Sequence, residues 1–83
     1  MSTARAVEVI TGTDGFDVRL EDGRRLWVPY EWFPRLAAAT PGQRLNWELI
    51  GDGVGLHWPE IDEDLSVDGL LRGTVANRIR RSG

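Results

Sequence analysis

The chain has 83 residues, enough for one domain, with 41% hydrophobic and 28% charged residues, a net charge of -3 and no cysteine. This balance excludes a disordered polar chain, and the missing cysteine excludes disulfide staples, thiolate nucleophiles and cysteine-ligated zinc. All ten cations are arginine, which excludes lysine Schiff-base chemistry, and no apolar run approaches the roughly 20 residues of a membrane-spanning helix.

A domain this small has a stability on the order of 5–8 kcal/mol, so an interface with a second chain would matter to it. The N-terminal MSTARAVEVITG has no signal-like apolar region, and the expected location is cytoplasmic. Residues 6–11 (AVEVIT) and 16–20 (FDVRL) alternate as half-buried strands. With Thr13 and Asp14 at the tip of the GTDG turn, Val9 faces Val18, Val7 faces Leu20, and Glu8 faces Arg19 as a favourable ion pair.

The next turn is read best as a three-residue loop, Glu21 to Gly23, with Gly23 left-handed. A two-residue Asp-Gly turn would set Leu20 against Arg25. The longer loop aligns Val18 with Leu26 and Phe16 with Val28. It sends Trp27, opposite Asp17, to the polar face. After Pro29 the spacing of Phe33, Leu36 and Ala37 predicts a helix, with Pro34 in its first turn. Thr40-Pro41-Gly42-Gln43 is a capping box that predicts a second helix reaching about Asn46.

WELIGDGVGLHW predicts a hairpin with Asp52 and Gly53 at its tip, pairing Leu49 with Leu56, Trp47 with Trp58 and Glu48 with His57. Ser66 caps a last helix, VDGLLR, with Gly73 as its stop. The expected fold is α+β: one antiparallel sheet of about five strands with two or three short helices on one face, in the order β-β-β-α-α-β-β-α. Residues 1–73 form the domain; 74–83 form a basic tail, a helical extension or disordered.

Chemistry, if present, lies in HWPEIDEDLSVDGLL, residues 57–71. An EF-hand begun at Asp62 matches at Asp64 but has Val67 where glycine is needed and Gly73 where glutamate is needed. One histidine with Glu60, Asp62 and Asp64 is a weak zinc set. The adjacent acids look too solvated to divide acid and base roles. Ser66 lacks a nucleophile elbow and has a sufficient task as a cap. Gly51, Gly53 and Gly55 lack the lysine and the following helix of a phosphate loop, and fit a turn. The expectation is therefore no catalytic residue, no metal and no cofactor; an enzyme would have to be built around His57 and Asp62–Asp64. The acidic run is read as a solvated lead-in to a capped helix. Of the aromatic residues, Trp47, Trp58, Trp32, Tyr30 and Phe33 suit a core, whereas an exposed Trp27 suits a partner surface.

Several segments together resemble a known family. They are L-x-DGR (Leu20–Arg24), V-P-x-x-W-F-P-R-L (Val28–Leu36), A-A-T-P-x-x-R through Arg44, N-W-E-L (Asn46–Leu49), G-L-H-W-P-x-I-D-E-D through Asp64, and G-L-L-R-G (Gly69–Gly73). The chain is similar over roughly residues 16–73 to the bacterial domain-of-unknown-function family numbered 2442. That resemblance implies a short α+β module, in some members fused to a helix-turn-helix domain. It also implies frequent encoding beside another small protein, similar to a toxin–antitoxin pair. Only ten residues follow Gly73 here, too few for two packed DNA-binding helices.

The expected function is a non-catalytic interaction module, an antitoxin-like subunit that binds a small basic protein through Trp27, Glu60, Asp62, Glu63 and Asp64. The acids would speed encounter and the indole would anchor it. A homodimer is a further expected assembly. The alternative is a nucleic-acid-binding regulator that uses Arg78, Arg80 and Arg81 of the tail, with affinity falling steeply in salt. No membrane partner is expected.

Overall fold

The computed structural model describes residues 4–72. β1 (Ala6–Thr11), β2 (Gly15–Leu20) and β3 (Arg25–Pro29) form one antiparallel sheet in that order. Val9 pairs with Val18 and Glu8 with Arg19, as the alternation predicts. The Gly12 amide closes the first turn on the Gly15 carbonyl at 2.8 Å, leaving Thr13 and Asp14 at the tip. In the second hairpin Val18 pairs with Leu26 and Phe16 with Val28. Its loop is the three-residue one: Leu20 donates to the Arg24 carbonyl at 2.9 Å, and Gly23 has φ 96°.

One pairing is corrected. A bulge between Ala6 and Glu8 sets Ala6, rather than Val7, opposite Leu20, and leaves Val7 50% exposed. The bulge presses the Ala6 backbone against Gly53 of a distant turn, where a methyl group would lie 2.2 Å from the Ala6 oxygen. Nothing in the local β1–β2 pattern announces that contact.

Tyr30–Trp32 make a single 3₁₀ turn, and α1 (Pro34–Ala38) follows with Pro34 in its first turn, where the missing amide costs nothing. α2 (Pro41–Leu45) carries the full capping box: the Gln43 amide donates to Thr40 Oγ1 at 3.1 Å, and the Thr40 amide donates to Gln43 Oε1 at 3.0 Å. Asn46 ends it.

β4 (Glu48–Ile50), β5 (Gly55–Trp58) and β6 (Glu63–Ser66) form a second antiparallel sheet in that order. Asp52 at φ 61° and Gly53 at φ 98° make the type I′ turn that a right-twisted hairpin favours. Leu49 pairs with Leu56 and Glu48 with His57, as predicted. The ladder starts at Glu48, so the expected Trp47–Trp58 pair is not formed; Trp58 instead pairs with Glu63 of β6.

Among the described residues the expected single sheet of about five strands is thus corrected to two sheets of three, and the order gains a strand before helix α3 (Val67–Arg72). β6 is hard to see in sequence because EDLS has one buried side chain, Leu65, and three polar ones. The turn that feeds it uses Asp62 at φ 54° instead of a glycine. α3 begins as expected, the Gly69 amide donating to Ser66 Oγ at 2.9 Å. Its predicted stop, Gly73, lies outside the described residues.

The two sheets share one core. Phe16 of β2 meets the Trp58 indole edge-on at 5.5 Å between centroids and stacks on Tyr30 at 5.8 Å. Around this aromatic trio close Val18, Val28, Leu36, Leu56 and Val67, all fully buried. Trp58, 1% exposed, donates Nε1–H to the Arg44 carbonyl at 3.0 Å, so its one polar atom is satisfied where burial would otherwise penalise it. Among the described residues no helix is long and apolar enough to cross a membrane.

Candidate functional site

Of the acids ahead of the Ser66-capped helix, Glu63 and Asp64 lie in β6 of the second sheet, and Glu60 and Asp62 lie in the turn that feeds it. Glu60 accepts from Asn46 Nδ2 at 2.9 Å. Asp62 sits in the tight turn, and its backbone carbonyl accepts from Arg35 Nη1 of α1 at 2.6 Å. Glu63 is half-buried opposite Trp58, and Asp64 faces His57 across the β5–β6 ladder. Asp64 Oδ1 is hydrogen-bonded to His57 Nδ1.

His57 therefore lies in the middle strand with a carboxylate on each side, Glu48 on β4 and Asp64 on β6. Its pKa is raised above 6.5, first by the Asp64 hydrogen bond and then by the charges of Asp64 and Glu48. A protonated imidazole would thus tie both edge strands to the centre. Among the described residues, no group of three or more histidines and carboxylates is arranged to hold a metal ion. Ser66 lies two residues along β6 from Asp64, and its Oγ accepts from the Gly69 amide at 2.9 Å.

Trp27 projects from the outer face of β3, 53% exposed, on the row Ile10–Asp17–Trp27 that crosses the first sheet. Its indole rests against Gly15, where a methyl group would come 2.7 Å from Cζ2. Beside it opens a cleft of about 420 Å³, walled by Thr13, Asp14, Tyr30, Glu31 and Arg44. A second cleft of about 360 Å³ continues past Tyr30 and Arg44 to Thr11, Pro41 and Leu45. Arg44 is held at the centre. Its guanidinium lies 4.0 Å over the Tyr30 ring, Nε donates to the Leu36 carbonyl at 2.9 Å, and Nη2 donates to the Ala37 carbonyl at 3.0 Å. Those carbonyls end α1, so the cation also satisfies a helix terminus. Burial raises the Tyr30 pKa above 10.0, partly offset by the Arg44 charge, and its hydroxyl donates to the Gly12 carbonyl at 3.0 Å.

The sequence profile of the family described as "Protein of unknown function (DUF2442)" matches residues 4–76. The chain belongs to that family. A crystal structure of a protein of unknown function from Rhodospirillum rubrum ATCC 11170 is similar to this DUF2442 chain, with 32% identity and a TM-score of 0.78. The match covers 87% of this chain and 89% of that one. No curated protein matches.

Trp27 and the acids are thus set in different surroundings in this DUF2442 chain: the indole by the Tyr30–Arg44 clefts, the acids against Arg35, Asn46 and His57. Arg78, Arg80 and Arg81 lie outside the described residues. The site that sequence reading missed is Arg44. Its trace in sequence is the capping box at Thr40, which fixes the helix carrying it, but its neighbours Tyr30 and Trp27 are supplied only by the fold.

Proposed function

We propose that this chain is a non-catalytic interaction module, an antitoxin-like subunit that binds a small basic protein and anchors it on Trp27. The observation that carries the reading is the indole itself, 53% exposed yet braced on Gly15. A tryptophan held in place while still open to solvent offers a large contact area at little entropic cost, as in interface hot spots. Charge supports a basic partner. All thirteen acids of the chain fall within residues 4–72, against seven of its ten arginines. Such a field speeds encounter with a cationic surface and is screened by salt.

The test is co-expression with the product of the adjacent gene, followed by light scattering and titration calorimetry at low and high salt. The expected result is a complex that weakens with salt, and one from which Trp27→Ala removes about 2 kcal/mol, an affinity loss of about 30-fold. No complex at low salt, or one indifferent to Trp27→Ala, would overturn the proposal.

A further inference from the structure

The two clefts share Thr13, Tyr30 and Arg44, so they form one groove with a fixed cation at its middle. Each end carries an exposed apolar side chain, Trp27 at 53% and Leu45 at 65%. Arg44 is bound through Nε and Nη2 only, and both Nη1 hydrogens are free of partners among the described residues. No carboxylate lies within salt-bridge reach of it among those residues either, although Arg19, Arg24, Arg25 and Arg72 all have one. Its stacking and its two carbonyl contacts have already fixed the side chain, so an incoming carboxylate would meet it without a large ordering cost.

We infer that this groove takes an extended peptide segment bearing one carboxylate between two apolar side chains. The spacing follows from strand geometry. Residues i, i+2 and i+4 of an extended chain share a face, so an acid flanked at two positions on either side by apolar residues aims all three into one groove. The apolar pair would cover Trp27 and Leu45, and the acid would take the Arg44 Nη1 hydrogens. Asp14 and Glu31 on the walls disfavour a second acid and welcome lysine or arginine outside the apolar pair. A segment of this kind can belong to a protein that is basic overall. The inference rests on the reading of Trp27 as a partner anchor and specifies what the partner presents there.

The probe is a set of blocked heptapeptides built on Lys-Leu-Ser-Glu-Ser-Leu-Lys, with the leucines varied among Leu, Ile, Phe and Trp, and a glutamine counterpart of each. Binding to the full-length chain is followed by NMR at the indole N–H of Trp27 and the Nε–H of Arg44. At least one glutamate peptide is expected to shift both signals and to bind about tenfold more tightly than its glutamine counterpart, the size of one charge-assisted hydrogen bond. Trp27→Ala and Leu45→Ser should each weaken it several-fold. Arg44→Gln should erase the preference for glutamate over glutamine; Trp27 and Leu45 are exposed, so their variants keep the test sound if Arg44→Gln fails to fold. Equal binding of the glutamate and glutamine peptides, or shifts from no member of the set, would overturn the inference. A protein partner that binds with Trp27 sensitivity while every peptide fails would leave the function standing and remove only the groove assignment. Peptide binding with no protein complex would do the reverse.

Discussion

Gly53 and Gly23 make a matched pair that separates backbone strain from tertiary packing. Their φ angles are nearly equal, 98° and 96°. A methyl group at Gly23 would meet nothing within 4 Å, whereas one at Gly53 would lie 2.2 Å from the Ala6 carbonyl oxygen and 3.1 Å from its nitrogen. Gly23→Ala therefore carries only the left-handed penalty, about 1–2 kcal/mol. Gly53→Ala carries the same penalty plus forced separation of the second hairpin from the β1 bulge. Overpacking against unyielding backbone adds about 1–3 kcal/mol. The sum is a large share of the roughly 5–8 kcal/mol available to a domain of this size. Urea unfolding followed by tryptophan fluorescence reads the difference directly. With a slope of about 1 kcal/mol/M, the Gly53→Ala midpoint should fall about 1–3 M below that of Gly23→Ala. Equal midpoints would refute the claim that this turn and β1 are locked together.

The remaining predictions concern single contacts. Because the folded pKa of His57 is raised, its contribution to stability is complete below the unfolded value of 6.5 and fades as pH rises through the higher folded one. Asp64→Asn should flatten that decline in denaturation midpoints across neutral pH; an unchanged slope would detach the effect from this pair. Trp58→Phe should cost about 2–3 kcal/mol, from the cavity and from an Arg44 carbonyl left without its donor, measurable as a lower unfolding temperature. Thr40→Ala removes the Oγ1 acceptor of the Gln43 amide while keeping the backbone amide that donates to Gln43 Oε1; it should cost about 1 kcal/mol, or a drop of about 4–8 °C in Tm.

Much of the fold is legible in the chain because it depends on neighbours in sequence. Period-two alternation settles the pairing of Val18 with Leu26 and Leu49 with Leu56, since a one-residue slip would turn each apolar set outward. The capping box at Thr40, the Ser66 cap and the left-handed Gly23 are likewise local choices between a few backbone conformations. The exposure of Trp27 follows from the same alternation.

What depended on the tertiary structure is where chain-distant groups meet. β6 has a single buried residue, so its strand character comes from pairing with β5, not from its own composition. That pairing gives His57 a second carboxylate, Asp64, where sequence offered Glu48 alone. The bulge at Ala6 exists against Gly53, forty-seven positions away. Arg44 becomes a fixed cation only once α1 supplies its carbonyls and Tyr30 its ring. Local rules select conformations one turn or one hairpin at a time. Which surfaces then touch is decided by burying the Phe16–Trp58–Tyr30 centre, a choice made by the whole chain at once.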